Sequence, residues 1–177
     1  VDATKAEFIY NDVVSYNGTI NTAGNNIQYY EITVPSLDGA NATTTLKVKF
    51  ADKAKVIDKL VNNVGDGVGR LFYVTYTGDY ATDLHEIDTT PYQYDAKNKA
   101  DMRAVLVAGA TYDGNFLQAY NTTTTPATAA ARYNVATAKT IVGELTADMM
   151  NKNIYVIYDV NNGNVESLYV SSRPVTP

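Results

Sequence analysis

Residues 158–170 read YDVNNGNVESLYV, and two interpretations of this stretch lead to different folds. An acidic calcium loop needs oxygen ligands at alternating positions, glycine at the sixth and a bidentate Glu at the twelfth. Asp159, Asn161 and Gly163 occupy positions one, three and five, but the sixth is Asn164 and the twelfth is Val170. Asn162-Gly163, by contrast, is the dipeptide that supplies two positive φ angles to a type I′ turn. It lies between the alternating Ile154, Val156 and Tyr158 and the apolar Val165, Leu168 and Val170. The stretch is therefore read as the turn of a β-hairpin with no metal, and a surface calcium site on Asp159 and Asn161 is the alternative.

The same period of two recurs outward from this hairpin. Tyr30, Ile32 and Val34 alternate with Glu31 and Thr33, and Leu46, Val48 and Phe50 alternate with Lys47 and Lys49, as half-buried antiparallel strands require. Further strand-like runs are EFIYNDVVSY, RLFYVTYT, RAVLVAGATY and NFLQAY, with Asn17-Gly18, Asp38-Gly39 and Asp113-Gly114 as turn formers. One segment departs from the pattern. In DKAKVIDKLVNNVGDG (52–67) the apolar residues fall at helical spacing, Asp52 can cap and Gly65 can stop, which predicts one short helix. TADMMNKN (146–153) reads as a single turn.

Set side by side, the halves match in order. VVSYNGTI, FADKAKVID and LFYVTYTGDYATDLHEI of the first correspond to AGATYDGNFL, NVATAKTIVG and IYVIYDVNNGNVESLYV of the second, a pattern of duplication. The expected organisation is mainly β: a first module over 1–90, a join over 91–101 and a second module over 102–177. Each is expected to be a small antiparallel barrel or sandwich, with the helix in the first. PSLDGANATTT (35–45) and NTTTTPATAAA (121–131) read as surface loops, the latter a mobile excursion.

Composition narrows the chemistry. The chain has 177 residues, a formal net charge of −5 and scattered Lys and Arg, which gives nucleic acid no basic stripe to bind. It contains no Cys, so thiolate metal sites, thiol catalysis and disulfides are excluded. No apolar run approaches a membrane span, and the opening VDATKAEFIY is not a signal peptide; the chain reads as a mature portion or excised segment of something longer, and the absence of Cys is compatible with a secreted bacterial protein. The glycines of NNVGDGVGRL lack the spacing of a phosphate loop and precede a strand rather than a helix.

Catalysis finds little to work with. His85, the only histidine, lies within a strand-like run, and Ser15 sits in no nucleophile-elbow context. Asp79, Asp83 and Glu86 cluster near one turn, and Asp58 and Asp66 flank the helix, so a glycosidase-like carboxylate pair stays open as a hydrolase reading. The bland interpretation of these acids is solvation of hairpin ends. The remaining peculiarity is 15 Tyr without a single Trp. Tyrosine is a favoured strand residue, yet its apolar face and hydroxyl also suit sugar or peptide recognition. Tyr80, Tyr92, Tyr94 and Tyr120 fall in turns, the join or a strand end, and are the candidate ligand-binding residues.

The endings LFYVTYTGDYATDLHEI and NIYVIYDVNNGNVESLYV, each after a segment of the AKTIVGEL kind, resemble the tandem β modules found beside S-layer homology domains in surface proteins of gut Firmicutes. The likeness is clearest over 132–170 and weaker over 46–87, and the helical anchoring domain itself is not visible. The resemblance implies a non-enzymatic structural or spacer module at the bacterial cell surface, without a cofactor. Its partners would be other parts of a larger protein, or a cell-wall polymer, glycan or host protein. The alternative is an extracellular glycan- or protein-binding module that uses the exposed tyrosines and long loops.

Overall fold

The computed structural model describes residues 7–11, 18–37, 42–61, 69–93, 101–121 and 124–174. The chain is mainly β with one short helix, and it divides into two compact units, Val1–Glu86 and Ile87–Pro177.

In the first unit the strands are β1 (Phe8–Tyr10), β2 (Thr19–Ala23), β3 (Ile27–Pro35), β4 (Thr43–Lys49), β5 (Leu71–Thr77) and β6 (Tyr80–Glu86). They form two antiparallel three-stranded sheets, β2-β3-β4 and β1-β5-β6. The alternation read from sequence sets the faces of β3 and β4: Ile32 pairs with Leu46 and Tyr30 with Val48 toward the core, while Glu31 pairs with Lys47 and Tyr29 with Lys49 on the outer side. Between β4 and β5 the chain makes a 3-10 turn, Phe50–Lys55, and then α1 (Ile57–Val61). The expected helix is present but short, and it buries Val56, Ile57 and Leu60 in a core shared with Ile9, Ile32, Val34, Leu46, Val48, Phe72, Val74 and Leu84. The β5–β6 turn has Gly78 at φ +61, with positive φ at its first position alone, the signature of a type II′ turn.

The strands of the second unit are β7 (Met102–Tyr112), β8 (Phe116–Asn121), β9 (Thr128–Asn134), β10 (Thr140–Val142), β11 (Asp148–Asp159) and β12 (Val165–Pro174). They join one sheet in the order β10-β12-β11-β7-β8-β9. A bulge lets this sheet bend: Met149 pairs with Ala110 but Asn153 with Ala108, and Gly109 takes φ +102 opposite the extra residues. The core side of β7 consequently switches from Val105 and Val107 to Ala110, which keeps all three in one apolar cluster with Leu117, Tyr133, Met149, Ile154, Val156 and Leu168.

Four expectations are corrected. None of the three sheets closes into a barrel among the described residues. The pairing is not wholly antiparallel, because β10 runs parallel to β12. The segment at 146–153 is not a turn: β11 begins at Asp148, which pairs with Thr111. Residues 128–131 of the expected loop belong to β9, an edge strand paired with β8. A strand needs backbone partners more than large side chains, so a run of alanines can join a sheet edge.

The hairpin at 158–170 forms, with a different turn. Tyr158 pairs with Val165, and the Gly163 N–H donates to the Asp159 carbonyl at 2.8 Å, closing a four-residue loop over 160–163 in which only Gly163 (φ +71) has positive φ. Residues 87–90, the end of the expected first module, and residues 91–93 of the expected join lie within the second unit, where the Leu106 N–H donates to the Asp88 carbonyl (2.7 Å) and Tyr92 exchanges two backbone bonds with Ala104 (2.8 and 3.0 Å).

Candidate functional site

The four tyrosines singled out from sequence do not converge. Tyr80, at the start of β6, is half-buried; its ring meets Tyr29 edge-on at 5.5 Å, and the Lys49 Nζ lies 4.8 Å from its centroid. Tyr92 is half-buried and fixed through its backbone to Ala104. Tyr94 lies outside the described residues. Tyr120, half-buried on β8, lines a cavity of about 360 Å³ in the second unit. Five of the other tyrosines, Tyr10, Tyr73, Tyr133, Tyr155 and Tyr169, are buried and serve the structure.

The cavity is built from small side chains. Val105 and Val107 of β7, Ala119 of β8, and Ala130 and Ala131 of β9 give apolar walls, with Pro91 beside them. Polar atoms come from Thr89, Tyr120, Asn121 and Tyr133, and none of the lining residues is an acid, His, Lys or Arg. Such a site offers apolar contact and a few hydrogen bonds. Where β8 and β9 slip register beside it, the Gln118 Nε2 donates to the Ala130 carbonyl at 2.9 Å and to the Ala131 carbonyl at 3.3 Å. No sequence motif marks this site, since it is lined largely by residues with little side chain.

Burial pushes the Tyr133 phenol up to about 12, helped by the neighbouring Tyr158, whose ring lies 4.8 Å away. Unfolded, the group ionises near about pH 10, so the stability it confers is present in full below that pH and is lost as pH rises toward the folded value. Denaturant midpoints taken at rising alkaline pH are expected to fall more steeply for the wild type than for Tyr133→Phe; parallel curves would show that Tyr133 is not held neutral.

The acids each have separate structural partners. Asp83 accepts from Lys59 (3.0 Å) and from the Leu84 N–H (2.8 Å), Glu86 from Arg70 (2.6 Å), and Asp58 from Lys53 (2.8 Å). Asp79 and His85 are exposed; Ser15 and Asp66 lie outside the described residues. At the hairpin end the Asp159 carboxylate accepts the Asn161 N–H at 2.8 Å, and the Asn162 side-chain carbonyl accepts the Asn164 N–H at 2.9 Å. These polar side chains cap the loop. Among the described residues no group of three or more His, Cys, Asp or Glu side chains could hold a metal ion.

Asp113 works in the same way at the β7–β8 turn. The N–H groups of Asn115 (3.0 Å) and Phe116 (2.7 Å) hold its carboxyl below the usual range, with Arg132 adding to the effect. Set against known protein families, curated proteins and solved structures, the chain matches none.

Proposed function

We propose that the chain is a non-enzymatic spacer from a secreted or cell-surface bacterial protein of the S-layer-associated kind, built of two β units that descend from one duplicated module. Strand direction is the observation that carries this reading. In the first unit β1 and β6 are both antiparallel to β5, and so run parallel to each other. In the second, β7 and β12 stand in the same relation to β11. A unit whose first and last described strands are parallel takes the chain in at one end of the sheet and releases it at the other. Tension along the chain then shears the ladders, so that several hydrogen bonds must break together rather than one after another.

The duplication is supported by the same order. Each unit has six described strands, the fifth and sixth form a hairpin, the first pairs with the fifth and the second with the third. The hairpin loops differ, two residues in the first unit and four in the second, as divergence after duplication allows. The core of the first unit draws on both of its sheets, which favours a sandwich-like arrangement there. The test is mechanical. The chain has no Cys, so attachment points can be introduced without interference. Single-molecule pulling through the two termini is expected to need a higher unfolding force than pulling between Asn151→Cys and the C-terminus, which peels β12 from β11. Equal or lower force through the termini would remove the basis of the spacer reading.

A second reading, an extracellular glycan- or protein-binding module, is favoured by the cavity beside Tyr120. It requires a ligand whose affinity drops when Tyr120 is replaced by Ala.

A further inference from the structure

We infer that the outer face of β3 and β4, completed by Tyr80, is a binding surface for an acidic polysaccharide. The inference rests on neither the spacer reading nor the cavity beside Tyr120.

The alternation that sends Ile32, Val34, Leu46 and Val48 inward places Tyr29, Glu31, Lys47 and Lys49 together on the opposite face, with Glu31 across from Lys47 and Tyr29 across from Lys49. Tyr80 reaches this face from the β5–β6 turn and meets the Tyr29 ring at an interplanar angle of 71°. Each lysine lies over a ring, Lys47 Nζ at 5.8 Å from the Tyr29 centroid and Lys49 Nζ at 4.8 Å from that of Tyr80. Neither ammonium has an ion-pair partner among the described residues, and both side chains are half-buried. Contact with a ring leaves the three N–H donors of an ammonium free for a carboxylate. On a chain of net charge −5, two half-buried cations held side by side are a local exception, and the one carboxylate on this face, Glu31 across from Lys47, is engaged by the Asn21 amide rather than by either ammonium.

The remaining groups decide which anion fits. The Asn21 amide donates to the Glu31 carboxylate at 3.1 Å, and Asn21 sits across from Tyr29 on β2. That pair gives hydroxyl groups both an acceptor and a donor. Tyrosine rings give an apolar surface to the C–H face of a sugar, while the ammonium groups receive its carboxylates. A polymer of uronic acids carries all three features in each residue. An acidic peptide presents carboxylates without the array of hydroxyls, and a dense polyphosphate would meet repulsion from Glu31.

The test uses the full chain with polygalacturonate as the probe and dextran, polyglutamate and polyphosphate beside it. Polygalacturonate is expected to bind saturably, and dextran not to bind. Affinity should fall about tenfold in the Lys47→Gln/Lys49→Gln double variant, fall also in Tyr80→Ala, recover in Lys47→Arg/Lys49→Arg and be unchanged in Lys139→Gln. Thermal melts check that the variants stay folded, as expected for partly exposed positions outside the apolar core. The inference is overturned by an absence of saturable polygalacturonate binding, by equal affinity in the double glutamine variant, or by polyglutamate or polyphosphate binding as tightly with no effect of Tyr80→Ala.

Discussion

Replacing Asn11 by Ala is expected to lower the stability of the first unit by about 3 kcal/mol, more than most single substitutions. Asn11 is 1% exposed and follows β1 directly. Its Nδ2 donates to the Leu60 carbonyl at 3.0 Å, where the last turn of α1 leaves carbonyls without helical donors. Its Oδ1 accepts the Arg70 N–H at 2.7 Å just ahead of β5. Its backbone adds two bonds, N–H to the Arg70 carbonyl (3.1 Å) and carbonyl from the Gly69 N–H (2.8 Å). One side chain thereby ties a strand, a helix end and the start of another strand. Alanine keeps the backbone bonds but takes partners from a buried carbonyl and a neighbouring N–H, which costs more than the bonds themselves contribute. Asn11→Asp distinguishes the two halves of the side chain: it can still accept from Arg70 but turns a carboxylate toward the Leu60 carbonyl. Urea denaturation is expected to rank wild type above both variants, with Asn11→Asp partly recovering at acid pH as the new carboxyl gains a proton to donate. A midpoint within experimental error of wild type for Asn11→Ala would show that water replaces these bonds freely.

Asn11 also marks where sequence stops being readable. A polar residue after FIY looks like a strand end, and the bonds that matter join it to positions 49 and 59 residues away. Local alternation was readable where one face is buried, as in β3 and β4, because burial imposes period two on the side chains, whereas in β11 residues 153–157 are buried on both faces and the run reads as continuously apolar and aromatic. Helical spacing at Val56, Ile57 and Leu60 was readable for the same reason. The start of β11 was not. Asp148, Asn151 and Lys152 are exposed, and the register shift in that region breaks the alternation that would have disclosed a strand. The turn at 160–163 departs from the Asn-Gly expectation because Asp159 and Asn162 cap a longer loop, which releases Asn162 from positive φ. For the candidate sites the limit differs. Tyr80 and Tyr120 could be picked out as tyrosines near turns, but Lys49 over Tyr80 depends on one strand pairing and one hairpin tip coming together, and the alanines that shape the cavity carry no sequence signal.

The second large effect is expected at Gly143, where replacement by Ala should destabilise the second unit by about 3 kcal/mol and detach β10 from the sheet. Gly143 follows β10 with φ +94, a region that costs a residue with a Cβ about 1–2 kcal/mol even in open space. The space is not open. A Cβ there would stand 2.7 Å from the Val170 Cβ and 2.8 Å from its carbonyl oxygen. Relief requires the backbone of β10 to move away from β12, but Thr140, Ile141 and Val142 are held in parallel register with Ser167, Leu168 and Tyr169, and the Lys139 N–H donates to the Glu166 carbonyl at 2.9 Å. A three-residue parallel pairing has few bonds with which to resist. Gly78→Ala is the control: its φ of +61 is equally unsuited to Ala, yet nothing lies within 4 Å of the added Cβ, so a loss of only about 1 kcal/mol is expected. Hydrogen exchange should show the Gly143→Ala loss concentrated at 139–142 and 166–169, because the paired amides of both strands become exposed together. Loss of β10 would also leave β12 as an unprotected edge, so this variant is expected to associate at high concentration whereas Gly78→Ala does not. Equal destabilisation by the two substitutions would mean that backbone conformation alone, and not the approach of Val170, fixes glycine at 143.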